Sequence, residues 1–222
     1  MTKQMQRDLD RMQTLLLQMA GCVEGAVHHA MKALFERNAT AAQLVLDGDA
    51  EIDTLENLVQ EEALSLLALH HPIGAELRRI ASVMFITTDL ERMGDLAADI
   101  AERAVVLAKP PYFPRSELLT PMANTTTTMV RQALDAFVQE DAAAARAVVQ
   151  LDRTVNRHHL AIIAQITDEM KKSPEQVEAG ISMFSAIRHL ERIADHSTNI
   201  AEDVIYLVEG AIVRHRPERF AE

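Results

Sequence analysis

The chain has 222 residues, of which 33 are acidic and 22 are basic, so its formal net charge is −11. Duplex DNA binding depends on clustered basic residues that displace counterions, and the absence of any Lys/Arg-rich run argues against a nucleic-acid partner. Charged side chains interrupt every long apolar stretch, so no direct membrane insertion is expected. A single cysteine and a polar N-terminus without a signal-peptide pattern predict a cytoplasmic protein.

Helix-breaking residues divide the sequence into six long helical segments. Helix formers dominate the composition, whereas Gly and Pro occur only seven times each. Capping boxes, in which a Ser or Thr is followed three residues later by Gln, predict helix starts at Thr40 and Ser173. Pro121 predicts a start of the fourth helix at Thr120. The predicted segments are about Lys3–Arg37, Thr40–Leu69, Ala75–Ala108, a fourth from Thr120, Asp141–Lys171 and a sixth that extends to Val213.

The third and sixth helices repeat one another. Seven of thirteen positions are identical between the segments that begin at Leu90 and Leu190, and both contain Leu-Glu-Arg-x-x-Asp. A weaker repeat relates Asp49-x-x-Ile-Asp to Asp152-x-x-Val-Asn. The sequence therefore predicts an all-α fold with two tandem three-helix bundles related by internal duplication. The predicted boundaries are 1–108 for the first bundle, 109–116 for a Pro-rich linker and 117–222 for the second bundle.

Apolar residues in these two helices recur at alternating steps of three and four, which is the pattern of an a/d packing seam. In the third helix the seam comprises Val83, Ile86, Leu90, Met93, Ala97, Ile100, Ala104 and Leu107. In the sixth helix it comprises Met183, Ala186, Leu190, Ile193, Ser197, Ile200, Val204 and Leu207.

Acidic residues form a row on the same third helix. Glu91, Asp95 and Asp99 are four residues apart, which places them on one face, and a heptad that begins at Leu90 puts that face opposite the seam. Asp49 and Asp53 form a similar row on the second helix. Such a row can simply be a solvated face. Like charges at this spacing nevertheless destabilise a helix by about 0.2–0.5 kcal/mol per pair, and the recurrence of the pattern suggests a shallow surface site for a hard or borderline cation.

The second half carries a less acidic version of this pattern. Asp152, Glu191 and Asp195 are retained, whereas Asn156 and Asn199 occupy the positions of Asp53 and Asp99. Amide oxygens are weaker ligands for a hard cation than carboxylates are. Three nearby histidines could shift the preference towards zinc, and they are His159, His189 and His196.

The two Leu-Glu-Arg-x-x-Asp motifs, each followed by Ile-Ala-Glu, resemble the PhoU family of phosphate-specific transport system accessory proteins. The resemblance extends to Tyr206-Leu-Val-Glu-Gly, to the segment from Pro72 and to the stretch from Asp49, in the same order along the chain. It implies two three-helix bundles, a homodimer, and surface metal clusters. The implied first site is Asp49, Asp53, Glu91, Asp95 and Asp99, and the implied second is Asp152, Asn156, Glu191, Asp195 and Asn199.

The resemblance also implies a function. The family restrains phosphate-starvation signalling and modulates phosphate uptake, and its expected partners are the sensor histidine kinase PhoR and the ATPase subunit of the phosphate ABC transporter. The metal that the resemblance favours is iron, with zinc, magnesium or manganese as alternatives. We therefore expect a metal-binding signalling adaptor without enzymatic activity.

Two other interpretations are compatible with the residues. A ferritin-like di-metal carboxylate enzyme would also be helical and rich in acids, but that class uses Glu-x-x-His, which does not occur in this sequence. Walker, zincin and nucleophile-elbow motifs are absent as well. The remaining interpretation is a helical scaffold that binds no metal.

Overall fold

The computed structural model describes residues 2–110 and 112–213, which form six long α-helices and one short 3₁₀ helix. The helices are α1 (Lys3–Glu36), α2 (Ala39–His70), α3 (Ala75–Leu107), α4 (Leu119–Gln139), α5 (Ala142–Lys172) and α6 (Val177–Glu209), with the 3₁₀ helix at Pro174–Gln176. The predicted all-α fold with two related three-helix units is thereby confirmed. The exact domain boundaries stay a prediction, and residues 214–222 of the second unit lie outside the described residues.

The N-termini of two helices differ from the prediction. Helix α2 begins one residue after Asn38, whose Oδ1 accepts a hydrogen bond from the backbone N–H of Ala41 at 3.0 Å. Thr40 is therefore already helical, and the predicted capping box is wrong. Ser173 likewise makes no side-chain capping bond, since the 3₁₀ helix intervenes before α6. For α2, the sequence could not distinguish Asn38 from Thr40 as the cap, because Asn and Thr are both good N-cap residues.

The ends of α4 and α6 also shift. Helix α4 begins at Leu119, so Pro121 lies within the first turn, where its missing N–H removes no intrahelical hydrogen bond. Helix α6 ends at Glu209 rather than at Val213. Gly210 follows with a φ of 70°, a left-handed conformation that glycine adopts without steric cost, and it closes the helix.

Helices α3 and α6 occupy the centre of the molecule. Helix α3 packs against α1 and α2, α6 packs against α4 and α5, and α3 and α6 also pack against each other. All sixteen predicted seam residues are buried, and all except the polar Ser197 belong to one continuous apolar core. Helix α3 buries a further set of residues outside that seam, namely Ile80, Ser82, Thr87, Asp89, Gly94, Leu96 and Ala101.

Gly94 shows how closely α2 approaches α3 beside the acidic row. A β-carbon at this position would lie 3.0 Å from Cδ1 of Ile52. The corresponding residues of the second repeat are Ala194 and Val155, both fully buried. The larger Ile52 is thus paired with Gly94, and the smaller Val155 is paired with the larger Ala194, as close packing requires.

The Pro-rich linker is anchored rather than free. Phe113 is buried, and its backbone carbonyl accepts a hydrogen bond from Nη2 of Arg37 at 3.1 Å. Arg115 donates to the carbonyl of Phe35 at 3.3 Å. The linker therefore packs on the C-terminal end of α1. Among the described residues, no helix is apolar enough over a sufficient length to cross a bilayer.

The corrected cap of α2 can be tested by mutation. We expect Asn38→Ala to lower the free energy of unfolding by about 1 kcal/mol, because the N–H of Ala41 loses its acceptor. Thr40→Ala is the control, and it should be neutral or slightly stabilising because Ala has the higher helix propensity. Urea unfolding followed by circular dichroism measures both. A larger loss for Thr40→Ala would contradict the assignment of the cap to Asn38.

Candidate functional site

The acidic rows of α2 and α3 come together along the groove between these helices. Asp49 interacts electrostatically with Asp53 on its own helix and with Asp95 and Asp99 on α3. One to two turns further along α2, Glu56 interacts with Glu91. The two helices are therefore antiparallel here, and the five predicted first-site residues lie in one cluster, which we call the first cluster: Asp49, Asp53, Glu91, Asp95 and Asp99.

The first cluster is more buried than the heptad analysis predicted. Only 18% of the Glu91 side chain is exposed, compared with 42% for Asp95 and 46% for Asp99. A single seam with an opposite, solvated face does not describe α3, because this helix is packed by three neighbours. The cluster therefore lies at the edge of the core, in a half-buried groove.

Burial and mutual repulsion disfavour the charged carboxylates of the first cluster. The pKa of Glu91 rises from 4.5 to about 7, mainly through burial and then through the neighbouring charge of Asp95. Burial also raises the pKa of Asp49, and repulsion from the acids around it adds to the effect. Arg92 counteracts this in part, because its guanidinium lies 3.4 Å from Glu91 and 3.3 Å from Asp95. With one arginine for five acids, the cluster keeps an excess of negative charge.

A second cluster forms at the corresponding place between α5 and α6. It contains Asp152, Asn156, Glu191 and Asp195. Burial, followed by repulsion from Glu191 and then Asp152, raises the pKa of Asp195 to about 6. Asn156 donates from Nδ2 to Oδ2 of Asp152 at 2.7 Å, and Oδ1 of Asp152 is buried with no hydrogen-bond partner.

Asn199 does not face the second cluster. Its Nδ2 donates to Oδ1 of Asp89 at 3.0 Å, across the contact between α3 and α6. The same Oδ1 lies 2.7 Å from Nδ1 of His196. Asn199 and His196 therefore serve the packing of the two repeats, and the sequence analysis missed the part that Asp89 plays in it.

Asp99 also reaches across this contact. Its Oδ2 lies 3.6 Å from Nδ1 of His189, while Nε2 of His189 lies 2.9 Å from Oγ of Ser185. Burial lowers the pKa of His189, although the negative charge of Asp99 opposes this shift. Asp89 thus faces Asn199, and Asp99 faces His189. Position 189 is the counterpart of 89 in the internal repeat, and 199 is the counterpart of 99, so the two pairs are equivalent. The offset of 100 residues could have indicated these reciprocal pairs.

Within each cluster the carboxylates are close enough to interact electrostatically. They do not converge on one point. Across residues 2–110 and 112–213, no three His, Cys, Asp or Glu side chains are arranged to hold a metal ion. Cation binding would therefore require side-chain movement within the clusters.

Comparison with known proteins identifies the architecture. The model of the PhoU domain matches the chain twice, over residues 16–104 and 119–204. This chain belongs to the PhoU family. The two matches correspond to the two three-helix units, so the resemblance inferred from the repeated motif is confirmed.

Relatives within the family align over nearly the whole chain. The "Phosphate-specific transport system accessory protein PhoU homolog" of Pseudomonas putida is 38% identical over 215 residues, which cover 96% of this chain and 84% of the relative. A protein of the same name from Aquifex aeolicus is 34% identical, with 95% of each chain covered.

Two solved structures share the fold. The crystal structure of PhoU from Pseudomonas aeruginosa has a TM-score of 0.90 and 36% identity, and it covers 93% of this chain and 99% of that chain. The crystal structure of the phosphate transport system regulatory protein PhoU from Streptococcus pneumoniae has a TM-score of 0.88 and 30% identity, covering 94% and 99%.

The raised pKa of Glu91 predicts a pH-dependent stability. The folded state binds the proton of Glu91 more tightly than the unfolded state, so this residue destabilises the metal-free protein increasingly as the pH rises from 4.5 through about 7. We expect Glu91→Gln to raise the free energy of unfolding at pH 8 by about 1–2 kcal/mol, a value reduced for solvent screening. The gain should vanish near pH 4.

The measurement is urea unfolding in the presence of a chelator at several pH values. Glu102→Gln is the matched control, because Glu102 lies on the same helix, pairs with Arg103 and is 53% exposed. It should change stability little at any pH. A loss of stability for Glu91→Gln at pH 8 would show that the cluster does not repel the charged form.

Proposed function

We propose that this protein is a non-enzymatic regulator of phosphate homeostasis that works on the cytoplasmic side of the membrane. It restrains phosphate-starvation signalling and modulates phosphate uptake by contacting the sensor histidine kinase PhoR and the ATPase subunit of the phosphate ABC transporter. The observation that carries this proposal is the match of both repeats to the PhoU domain, together with relatives that are named as accessory proteins of the phosphate-specific transport system. In this proposal the active form is a homodimer.

The residues of the first cluster suit a cation in charge and donor type. Hard cations prefer carboxylate oxygens, and the cluster offers five of these groups with raised pKa values at Glu91 and Asp49. A cation would relieve the mutual repulsion that adds to burial in raising these pKa values. We therefore assign Asp49, Asp53, Glu91, Asp95 and Asp99 as ligands. Iron is the favoured metal, with zinc, magnesium or manganese as alternatives.

The second cluster is the weaker of the two sites. Asp152, Glu191 and Asp195 would hold the cation, and Asn156 could contribute its amide oxygen only at the side opposite its bond to Asp152. Asn199 would first have to give up its hydrogen bond to Asp89. At both sites the cation neutralises charge between two helices of one repeat, which is a structural and regulatory role rather than a catalytic one.

Metal analysis of the purified protein tests these sites. After anaerobic purification without chelator, we expect bound metal that is largely lost in the double variant Glu91→Ala with Asp95→Ala. A smaller loss should follow from Glu191→Ala with Asp195→Ala. The matched control is Asp47→Ala with Glu51→Ala. These two acids are also four residues apart on α2, but they are exposed and lie outside the cluster. It should retain the metal.

Each alternative interpretation has its own outcome in this experiment. Metal-free protein that also fails to bind added Fe²⁺, Mn²⁺ or Zn²⁺ would support the metal-free scaffold. Oxygen-dependent turnover of a substrate by the loaded protein would support the di-metal enzyme.

The adaptor function is tested by co-purification. We expect the tagged full chain to retain the cognate histidine kinase and the transporter ATPase subunit from detergent-solubilised membranes. An unrelated acidic helical bundle of similar net charge is the control for non-specific adsorption. Specific retention of neither protein, under conditions in which the tagged chain is folded, would overturn the proposal.

A further inference from the structure

A cavity lies where the two repeats meet, and none of its lining residues belongs to the acidic clusters. It has a volume of about 400 Å³ and is bounded by the end of α1, the end of α3, the linker, the start of α4 and the first half of α6. This volume is within the range of small-molecule sites. Its apolar walls come from all five of these segments: Leu34, Leu107, Phe113, Leu119 and Met183.

A second depression adjoins the cavity and shares part of its lining. This depression of about 110 Å³ shares Phe113, Arg115, Leu119 and Met183 with the cavity and extends to α5, where Ile162 and Ile166 line it together with the polar Gln165 and Glu169. The shared apolar side chains are themselves buried. A ligand with an apolar portion could therefore remove that portion from water here, which contributes about 25 cal/mol per Å² of apolar area.

Two arginines provide the polar edge of the cavity. Arg37 donates to the carbonyl of Phe113 and lies over the ring of Tyr112, with its Cζ atom 4.4 Å from the ring centroid. Arg115 donates to the carbonyl of Phe35 and lies over the ring of that residue at 5.4 Å. A guanidinium has five N–H donors, so each is held in place while most of its donors stay available.

Neither arginine is paired with a carboxylate in the described part of the chain, although acids outnumber bases overall. Glu36 also lines the cavity but forms no ion pair with them. The second repeat differs. Its helix α4 is followed by the C-cap residue Glu140, which occupies the position that Arg37 has after α1 and pairs with Arg79. Position 179, the equivalent of Arg79, is Ala, so this ion pair has no counterpart at Arg37.

We propose that this cavity binds a small amphipathic anion. Its carboxylate or phosphate head is held by Arg37 and Arg115, since guanidinium groups bind both types of oxyanion with paired hydrogen bonds. Its apolar body lies against Leu107, Phe113 and Met183. The net charge of −11 and the nearby Glu36 oppose a bare, multiply charged ion, so the apolar body is needed for binding. This site is independent of the metal clusters and of the function proposed above.

Isothermal titration calorimetry with the full chain tests the proposal. The probes are octanoate, octyl phosphate and inorganic phosphate, each below the concentration at which micelles form. We expect saturable binding of at least one octyl compound, and weaker or no binding of inorganic phosphate. The stronger of the two octyl compounds identifies the head group. Equal affinity for inorganic phosphate would overturn the amphipathic class, and no saturable binding of any probe would overturn the site.

Arginine variants test the assigned contacts. Arg37→Gln and Arg115→Gln should each weaken binding of the better octyl probe about tenfold or more, as the loss of a charge-assisted hydrogen bond predicts. Arg7→Gln is the matched control, because Arg7 is an exposed arginine on α1 in a distant turn. It should leave the affinity within about twofold. Equal weakening by all three variants would show non-specific charge attraction and overturn the site.

Both arginines also anchor the linker, so a second measurement uses the unaltered protein. Hydrogen–deuterium exchange with the better octyl probe should slow in residues 105–119, at the end of α3 and in the linker. Exchange in residues 49–60 of α2 should not change. Protection confined to other segments would place the ligand elsewhere and overturn the assignment.

Discussion

The packing of α3 against α6 is the constraint on which the rest of this structure depends. Each of these helices is covered by the two other helices of its own repeat and then by the central helix of the other repeat. Such a helix cannot keep a fully solvated polar face. Polar residues at the contact must find partners there, because an unpaired buried polar group costs several kcal/mol. Asp89 satisfies this requirement through Asn199 and His196.

The same constraint explains the electrostatics of the acidic clusters. Since α2 and α5 pack closely on the central helices, as the 3.0 Å approach of Ile52 to the Cβ position of Gly94 shows, the carboxylates beside them are partly withdrawn from water. Burial is accordingly the largest cause of the raised pKa values of both Glu91 and Asp195. The carboxylates proposed as cation ligands are thus the ones whose charged form the fold disfavours when no cation is present.

The clusters are also linked to the contact between the repeats. Asp99 belongs to the first cluster and lies beside His189 of α6, while His196 of the same contact is next in sequence to Asp195 of the second cluster. Each cluster therefore has a residue at, or next in sequence to, the contact between the two repeats. The cavity at the linker has a different origin, since it arises where the Pro-rich segment bridges two helix ends and leaves Arg37 without the ion pair that Glu140 has in the other half.

The sequence by itself determined the helices, the duplication and the seam, because helix propensity, breakers and a period near 3.6 are local properties. It also determined that Glu91 and Asp95 share a face of one helix and that Asp49 and Asp53 share a face of another, since residues four apart lie on the same side of a helix. Only the tertiary structure decided which polar residues face which neighbour. Asn199 looked like a ligand by position but bonds to Asp89 on α3. A helical wheel with one buried and one solvated face predicts that Glu91 is solvated, but its side chain is largely buried. Both outcomes depend on how a helix is surrounded on its remaining sides, and the heptad pattern of one seam carries no information about a third neighbour.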